Sequence, residues 1–237
     1  MSAAEPPLAE RLATVRSSVD DAVREAGRRP EEVTTIVVTK FHPASLVREL
    51  FDLGVRHVGE NRQQEASEKS SELADLALDW HFIGQLQSKK TRSVLAFAST
   101  IHSLDRLSLV SAIGAALGND VSASASRTSV DAFIQLNLTD DPGRGGVQPG
   151  QLAALAEAVA EVSPIRLRGL MAVAPVGDDP RRAFSRVREA RELLLAVTPG
   201  ATDLSMGMSG DFREAVLEGA THLRIGTAIT GNRPTPG

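Results

Sequence analysis

Eight short runs rich in β-branched and other apolar residues recur along the chain, separated by segments of helical periodicity or by helix-opening turns. That alternation constrains the fold most strongly. A strand apolar on both faces needs cover on both, and a helix following it within a few residues makes a βα unit of a parallel sheet. The runs are Thr34 to Lys40, Val55 to Glu60, Trp80 to Ile83, Thr100 to Leu104, Phe133 to Leu138, Ile165 to Val173, Thr202 to Met206 and His222 to Gly226. Eight strands at this spacing in 237 residues match a (β/α)8 barrel, which commonly takes about 250 residues. A doubly wound sheet would want a glycine fingerprint after its first strand, and Lys40-Phe41-His42-Pro43 stands there instead.

The expectation is therefore an α/β protein, one TIM-type barrel over residues 33–231, with an extra N-terminal helix over 8–27 and the whole chain, 1–237, forming a single domain. That helix carries Leu8, Leu12, Val15, Val19 and Val23 on one stripe. The polar segment from Asn61 to about Leu76 reads as a solvated helix, and the Ser/Ala-rich stretch from Asn119 to Ser129 as a mobile surface loop. Asp179 and Pro180 have the pattern of an N-cap and first helical position, and Asp211 to Glu214 has capping-box spacing.

Composition removes several classes of function. The absence of cysteine excludes a disulfide framework or a zinc-thiolate site and suits a reducing compartment, the cytoplasm. The amino terminus lacks a basic segment followed by an apolar one, and no apolar run approaches about 18 residues, so neither export nor membrane spanning is expected. With a net charge of −4 and basic residues dispersed, nucleic acid is not an expected partner. Tyrosine is absent, so no phenol can serve as acid or base, and no histidine spacing suggests a metal site.

The chemistry gathers at strand ends, where α/β folds place it. By strand parity Lys40, His81 and Arg224 point into the barrel. Lys40 has two readings: an ion pair with Glu60, or an amine able to form a Schiff base with an aldehyde. Ser205-Met206-Gly207-Met208-Ser209 leads into a helix amino terminus and Gly226-Thr227 ends the eighth strand. Together these loops suit a phosphate. Taken singly, His81 and Met171 suit packing and Asn61 suits a helix cap.

In order along the chain, Val38-Thr39-Lys40, Gly59-Glu60-Asn61-Arg62-Gln63-Gln64-Glu65, Trp80 to Gln87, Gly169-Leu170-Met171, Leu204 to Phe212 and Leu223 to Ile229 resemble the pyridoxal phosphate homeostasis protein family. The resemblance implies a pyridoxal 5'-phosphate (PLP) barrel of fold type III, like the N-terminal domain of alanine racemases. It implies Lys40 as the Schiff-base lysine, Ser205, Ser209, Gly226 and Thr227 as a phosphate cradle, Arg224 near the pyridine end, and Asn61, His81 and Met171 lining the pocket. Lys89, Arg144 and Thr230 depart from the family pattern beside these motifs, where they bear on the rim.

Two classes of function remain. A racemase or decarboxylase on this barrel would resemble proteins that add a β-domain and, in the racemases, a tyrosine. Here the chain is expected to stop just after strand eight. The reading adopted is a PLP carrier in vitamin B6 homeostasis, without turnover and with no catalytic residue, acting as a monomer that hands PLP to apo-enzymes. The alternatives are a minimal amino-acid racemase or lyase with His81 as base, and a Schiff-base aldolase that uses no PLP.

Overall fold

The computed structural model describes residues 6–118 and 128–233. Its strands are β1 (Thr34–Val38), β2 (His57–Glu60), β3 (Asp79–Phe82), β4 (Thr100–Leu104), β5 (Val130–Gln135), β6 (Ile165–Met171), β7 (Asp203–Ser205) and β8 (His222–Ile225), all parallel and closed in chain order. Closure lies in the β1–β8 register, with Thr34 opposite His222 and Val37 opposite Ile225. The helices are α1 (Leu8–Glu25), α2 (Ala44–Asp52), α3 (Gln63–Glu72), α4 (Thr91–Leu95), α5 (Leu107–Gly118), α6 (Leu152–Ala160), α7 (Pro180–Val197), α8 (Phe212–Leu217) and α9 (Thr227–Thr230). The expected TIM-type barrel is the fold found.

Period two divides each strand between two cores. Val37 joins the apolar layer between sheet and helices, while Ile36 and Val38 face the barrel axis beside Gly59, where an added Cβ would meet Ile36 Cγ2 at 3.0 Å. The α1 stripe is buried as expected, against α8 and α9. Arg11 Nε donates to the Ile229 carbonyl at 2.7 Å and Arg28 Nη1 to that of Ala220 at 2.8 Å, fastening this helix to the closing βα unit.

Three local expectations meet different outcomes. Asp179 caps α7, accepting from the Arg181 amide at 2.9 Å. Asp211 forms no capping box: its Oδ1 accepts instead from the Met208 amide at 2.5 Å, drawing the preceding loop over the start of α8. The α3 segment is not merely a solvated face, since it buries Ala66 and Lys69. The stretch from Asn119 to Ser129 lies outside the described residues except for its last two. Among the described residues no helix is long and apolar enough to cross a membrane.

Candidate functional site

A cavity of about 310 Å³ opens at the carboxyl ends of the strands. Six residues singled out from sequence line it: Lys40, Asn61, Ser209, Arg224, Gly226 and Thr227. The apolar part of its wall, Val38, Ile83, Val173 and Met208, is not separable in sequence from ordinary core.

Lys40 follows β1 in a turn pinned on both sides. The ammonium of buried Lys69 donates to the Thr39 carbonyl at 2.8 Å and to Glu60 Oε1 and Glu65 Oε1 at 2.7 Å each. Thr39 Oγ1 donates to Glu60 Oε1 at 2.7 Å, and the Phe41 amide to Glu65 Oε1 at 2.5 Å. All three donors of Lys69 are thereby used, and Phe41 is held at φ 70°, a left-handed conformation rare for a side chain of that bulk. Burial pushes the Glu60 carboxyl up, against the opposing pull of Lys69 and Thr39. The ion pair that would have made Lys40 structural is therefore taken by Lys69. Among the described residues no carboxylate pairs with Lys40, whose Nζ lies 5.9 Å from the Phe41 ring centroid. The guanidinium groups of Arg62 and Arg233 stack over that ring at 4.9 and 4.1 Å, adding positive charge at the rim.

The wall formed by the loops after β7 and β8 gathers small and hydroxyl-bearing residues. Gly207 turns the chain at φ 93°, and an added Cβ would lie 2.6 Å from that of Ala215. Beyond it come Ser209 and Gly210, joined by Gly226 and Thr227 from the end of β8. The Ala228 amide reaches Ser209 Oγ at 3.5 Å, tying the two loops together. Hydroxyls and backbone amides gathered in such turns favour an oxyanion.

Arg224 is almost wholly buried, yet among the described residues its hydrogen bonds go to neutral acceptors. Its Nη1 donates to Ser205 O at 2.7 Å and Oγ at 2.8 Å, and its Nη2 to the Ala172 carbonyl at 2.9 Å. Burial lowers its pKa to about 10, which leaves it a cation at neutral pH. A fixed charge with unspent donors thus borders the cavity. Asn61 Oδ1, also at the cavity, is buried and has no hydrogen-bond partner among the described residues, so it is free to accept from a bound group. An amine, an anion cradle, a guanidinium and an open amide around one apolar slot fit an anionic aromatic aldehyde such as PLP.

Three residues expected in the pocket do not line this cavity: His81, Met171 and Ser205. Each lies deeper in the barrel, because two residues along a strand move a side chain one layer toward the mouth. Ile83 reaches the cavity where His81 does not, and Val173 where Met171 does not. Ser205 Oγ is engaged by Arg224 and by His102 Nδ1 at 2.8 Å, below the level of Ser209. His81 sits between His57 and His102 and lines a different cavity, of about 350 Å³, at the opposite mouth.

The model of the alanine racemase N-terminal domain family matches residues 12–234. The pyridoxal phosphate homeostasis protein of Pseudomonas aeruginosa is 40% identical over 226 residues, covering 95% of this chain and 96% of that one. The protein of the same name from Escherichia coli K12 is 38% identical over 232 residues, covering 95% and 97%. PipY of Synechococcus elongatus, solved with PLP bound, superposes with a TM-score of 0.82 at 36% identity, over 95% of this chain and all of that one. Identity of this order across nearly the whole barrel makes the chain a member of the pyridoxal phosphate homeostasis protein family, built on the alanine racemase N-terminal domain.

Proposed function

We propose that this protein binds PLP in the cavity around Lys40 and serves intracellular PLP homeostasis as a carrier without turnover. PLP supplies an aldehyde that condenses reversibly with a primary amine, releasing water. The observation that carries the reading is the disposition of the lysines. They are Lys40, Lys69, Lys89 and Lys90, and Lys40 is the one on the wall of the cavity that also holds Ser209, Gly226 and Thr227. Lys69 is spent in three bonds, and Lys89 and Lys90, on a 3-10 turn, do not line the cavity.

Each remaining group has a part in holding the ligand. Ser209, Gly226 and Thr227 receive the phosphate, and Arg224 lies toward the pyridine edge. A guanidinium only donates, so a ring nitrogen facing it stays an unprotonated acceptor, a poor sink for carbanion chemistry. The chain has no tyrosine, and His81, the sequence candidate for a base, is buried one layer below with both ring nitrogens engaged. Storage and release fit this equipment better than racemisation. The protein acts in the cytoplasm as a monomer and passes PLP to apo-enzymes, and sedimentation of the purified protein tests the monomer.

The test is the visible absorption of the protein titrated with PLP, beside Lys40→Ala, with amino-acid turnover assayed on the same samples. The expected result is a saturable imine band in the native protein, no such band in the variant, and turnover below about 1 per second with alanine and other amino acids. A band that survives in Lys40→Ala, or turnover at ordinary enzymatic rates, contradicts the proposal.

A further inference from the structure

We propose that His57, His81 and His102 form a hydrogen-bond row of single polarity that positions Arg224 from the far side of the barrel. The row starts at the amino-terminal mouth, where His57 is partly exposed. It runs from His57 Nδ1 to His81 Nε2 (3.1 Å), from His81 Nδ1 to His102 Nε2 (2.9 Å) and from His102 Nδ1 to Ser205 Oγ (2.8 Å). Arg224 Nη1 closes it, 2.8 Å from the same hydroxyl. Neither His81 nor His102 touches the cavity assigned to PLP, so the proposed function leaves both unused.

The direction follows from counting protons. Arg224 can only donate, so Ser205 Oγ accepts from it and has its own hydrogen to give. His102 Nδ1 takes that hydrogen and therefore carries none, which places the ring's proton on Nε2, donating to His81 Nδ1. The same step repeats at His81, which donates from Nε2 to His57 Nδ1. Every donor and acceptor along the interior is then used once, whereas the reverse polarity leaves the Ser205 hydrogen buried without an acceptor. Burial holds His81 and His102 well below the ordinary imidazole pKa, so each ring is neutral and has one proton to place. His102 also stacks on Phe133 at 4.6 Å between centroids, which fixes its plane.

His102 is thus a positioning residue: through Ser205 it orients the edge of Arg224 that faces the ligand. This role rests on the reading of the Lys40 cavity as the PLP site, whereas the row's polarity does not. Nitrogen-15 NMR of the native protein without PLP, with rings assigned through their side-chain carbons, reads the polarity. Nε2–H with bare Nδ1 in His81 and His102 is expected, and Nδ1–H in either ring overturns the row. PLP affinity and absorption of two variants read the positioning. Asparagine at 102 reproduces the acceptor at Nδ1 that Ser205 needs, and glutamine reproduces only the Nε2 position. His102→Asn should bind PLP within about threefold of native and keep its spectrum, while His102→Gln binds at least about tenfold more weakly with a shifted band. Equal effects in the two variants, or the better binding in glutamine, overturn the positioning role. Failure of the native protein to take up PLP overturns the site reading and leaves the tautomers to decide the row.

Discussion

Lys69 decides where Lys40 stands, although its neighbourhood in sequence marks it only by Glu65 four residues before, the spacing of an ordinary surface pair. It lies in a run of Gln, Glu and Ser that reads as a solvated helix, and its role depends on two carboxylates brought to it from β2 and the first turn of α3. Breaking a buried ion pair by removing one partner costs far more than the pair contributes, because the other charge stays behind. Lys69→Met is therefore expected to destabilise the protein by about 3–5 kcal/mol in urea unfolding and to weaken PLP binding by loosening the Thr39–Phe41 turn. A variant with native stability would show that Glu60 and Glu65 find other partners. Asn61 should behave in the opposite way. Among the described residues its Oδ1 has no partner to lose, so Asn61→Ala should leave unfolding free energy within about 0.5 kcal/mol of native while reducing PLP affinity. Equal PLP affinity in titrations of the two proteins would remove Asn61 from the site.

At the scale of elements, the barrel was legible because a parallel strand must be apolar on both faces and a helix must cover it. The run from Thr34 to Lys40 and the stripe from Leu8 to Val23 needed only their periodicity to be read. Depth inside the barrel was not legible. His81, Met171 and Ser205 stand on the correct strands with the correct parity, but layer height depends on strand stagger, which sequence does not print. The loop after β7 shows the same limit: Asp211 has the spacing of a capping box, yet its carboxylate closes the turn onto Met208, and burial raises its pKa while that amide opposes the rise. Gly207 makes this turn possible. Gly207→Ala must adopt a left-handed φ and press against Ala215, so a loss of roughly 2 kcal/mol or more in unfolding free energy is expected, with weaker retention of phosphate-bearing ligands. Thermal melts with and without PLP test both parts, and a melting temperature equal to native would contradict the assigned turn.

For the whole molecule, the buried imidazoles tie stability to pH. Burial holds His81 and His102 well below the ordinary imidazole value and lowers His222 to about 4. Unfolded imidazoles titrate near 6.5, so below that pH the unfolded chain binds protons that the folded chain refuses. Stability contributed by these groups is fully present above about pH 6.5 and falls as pH drops toward the folded values; for His222, held at about 4, the loss at pH 5 is about 2 kcal/mol, and His81 and His102 add to it in the same direction. Urea midpoints that stay flat between pH 7 and 5 would contradict this.

The proposed function puts the vitamin-derived aldehyde on one amine at the carboxyl mouth of the barrel. Borohydride reduction of the PLP-loaded protein, followed by peptide mass mapping, identifies that amine, because reduction freezes the imine on whichever lysine formed it. The predicted result is a single pyridoxyl phosphate adduct on Lys40, and an adduct on Lys69, Lys89 or Lys90 in its place, or none at all, would contradict the account.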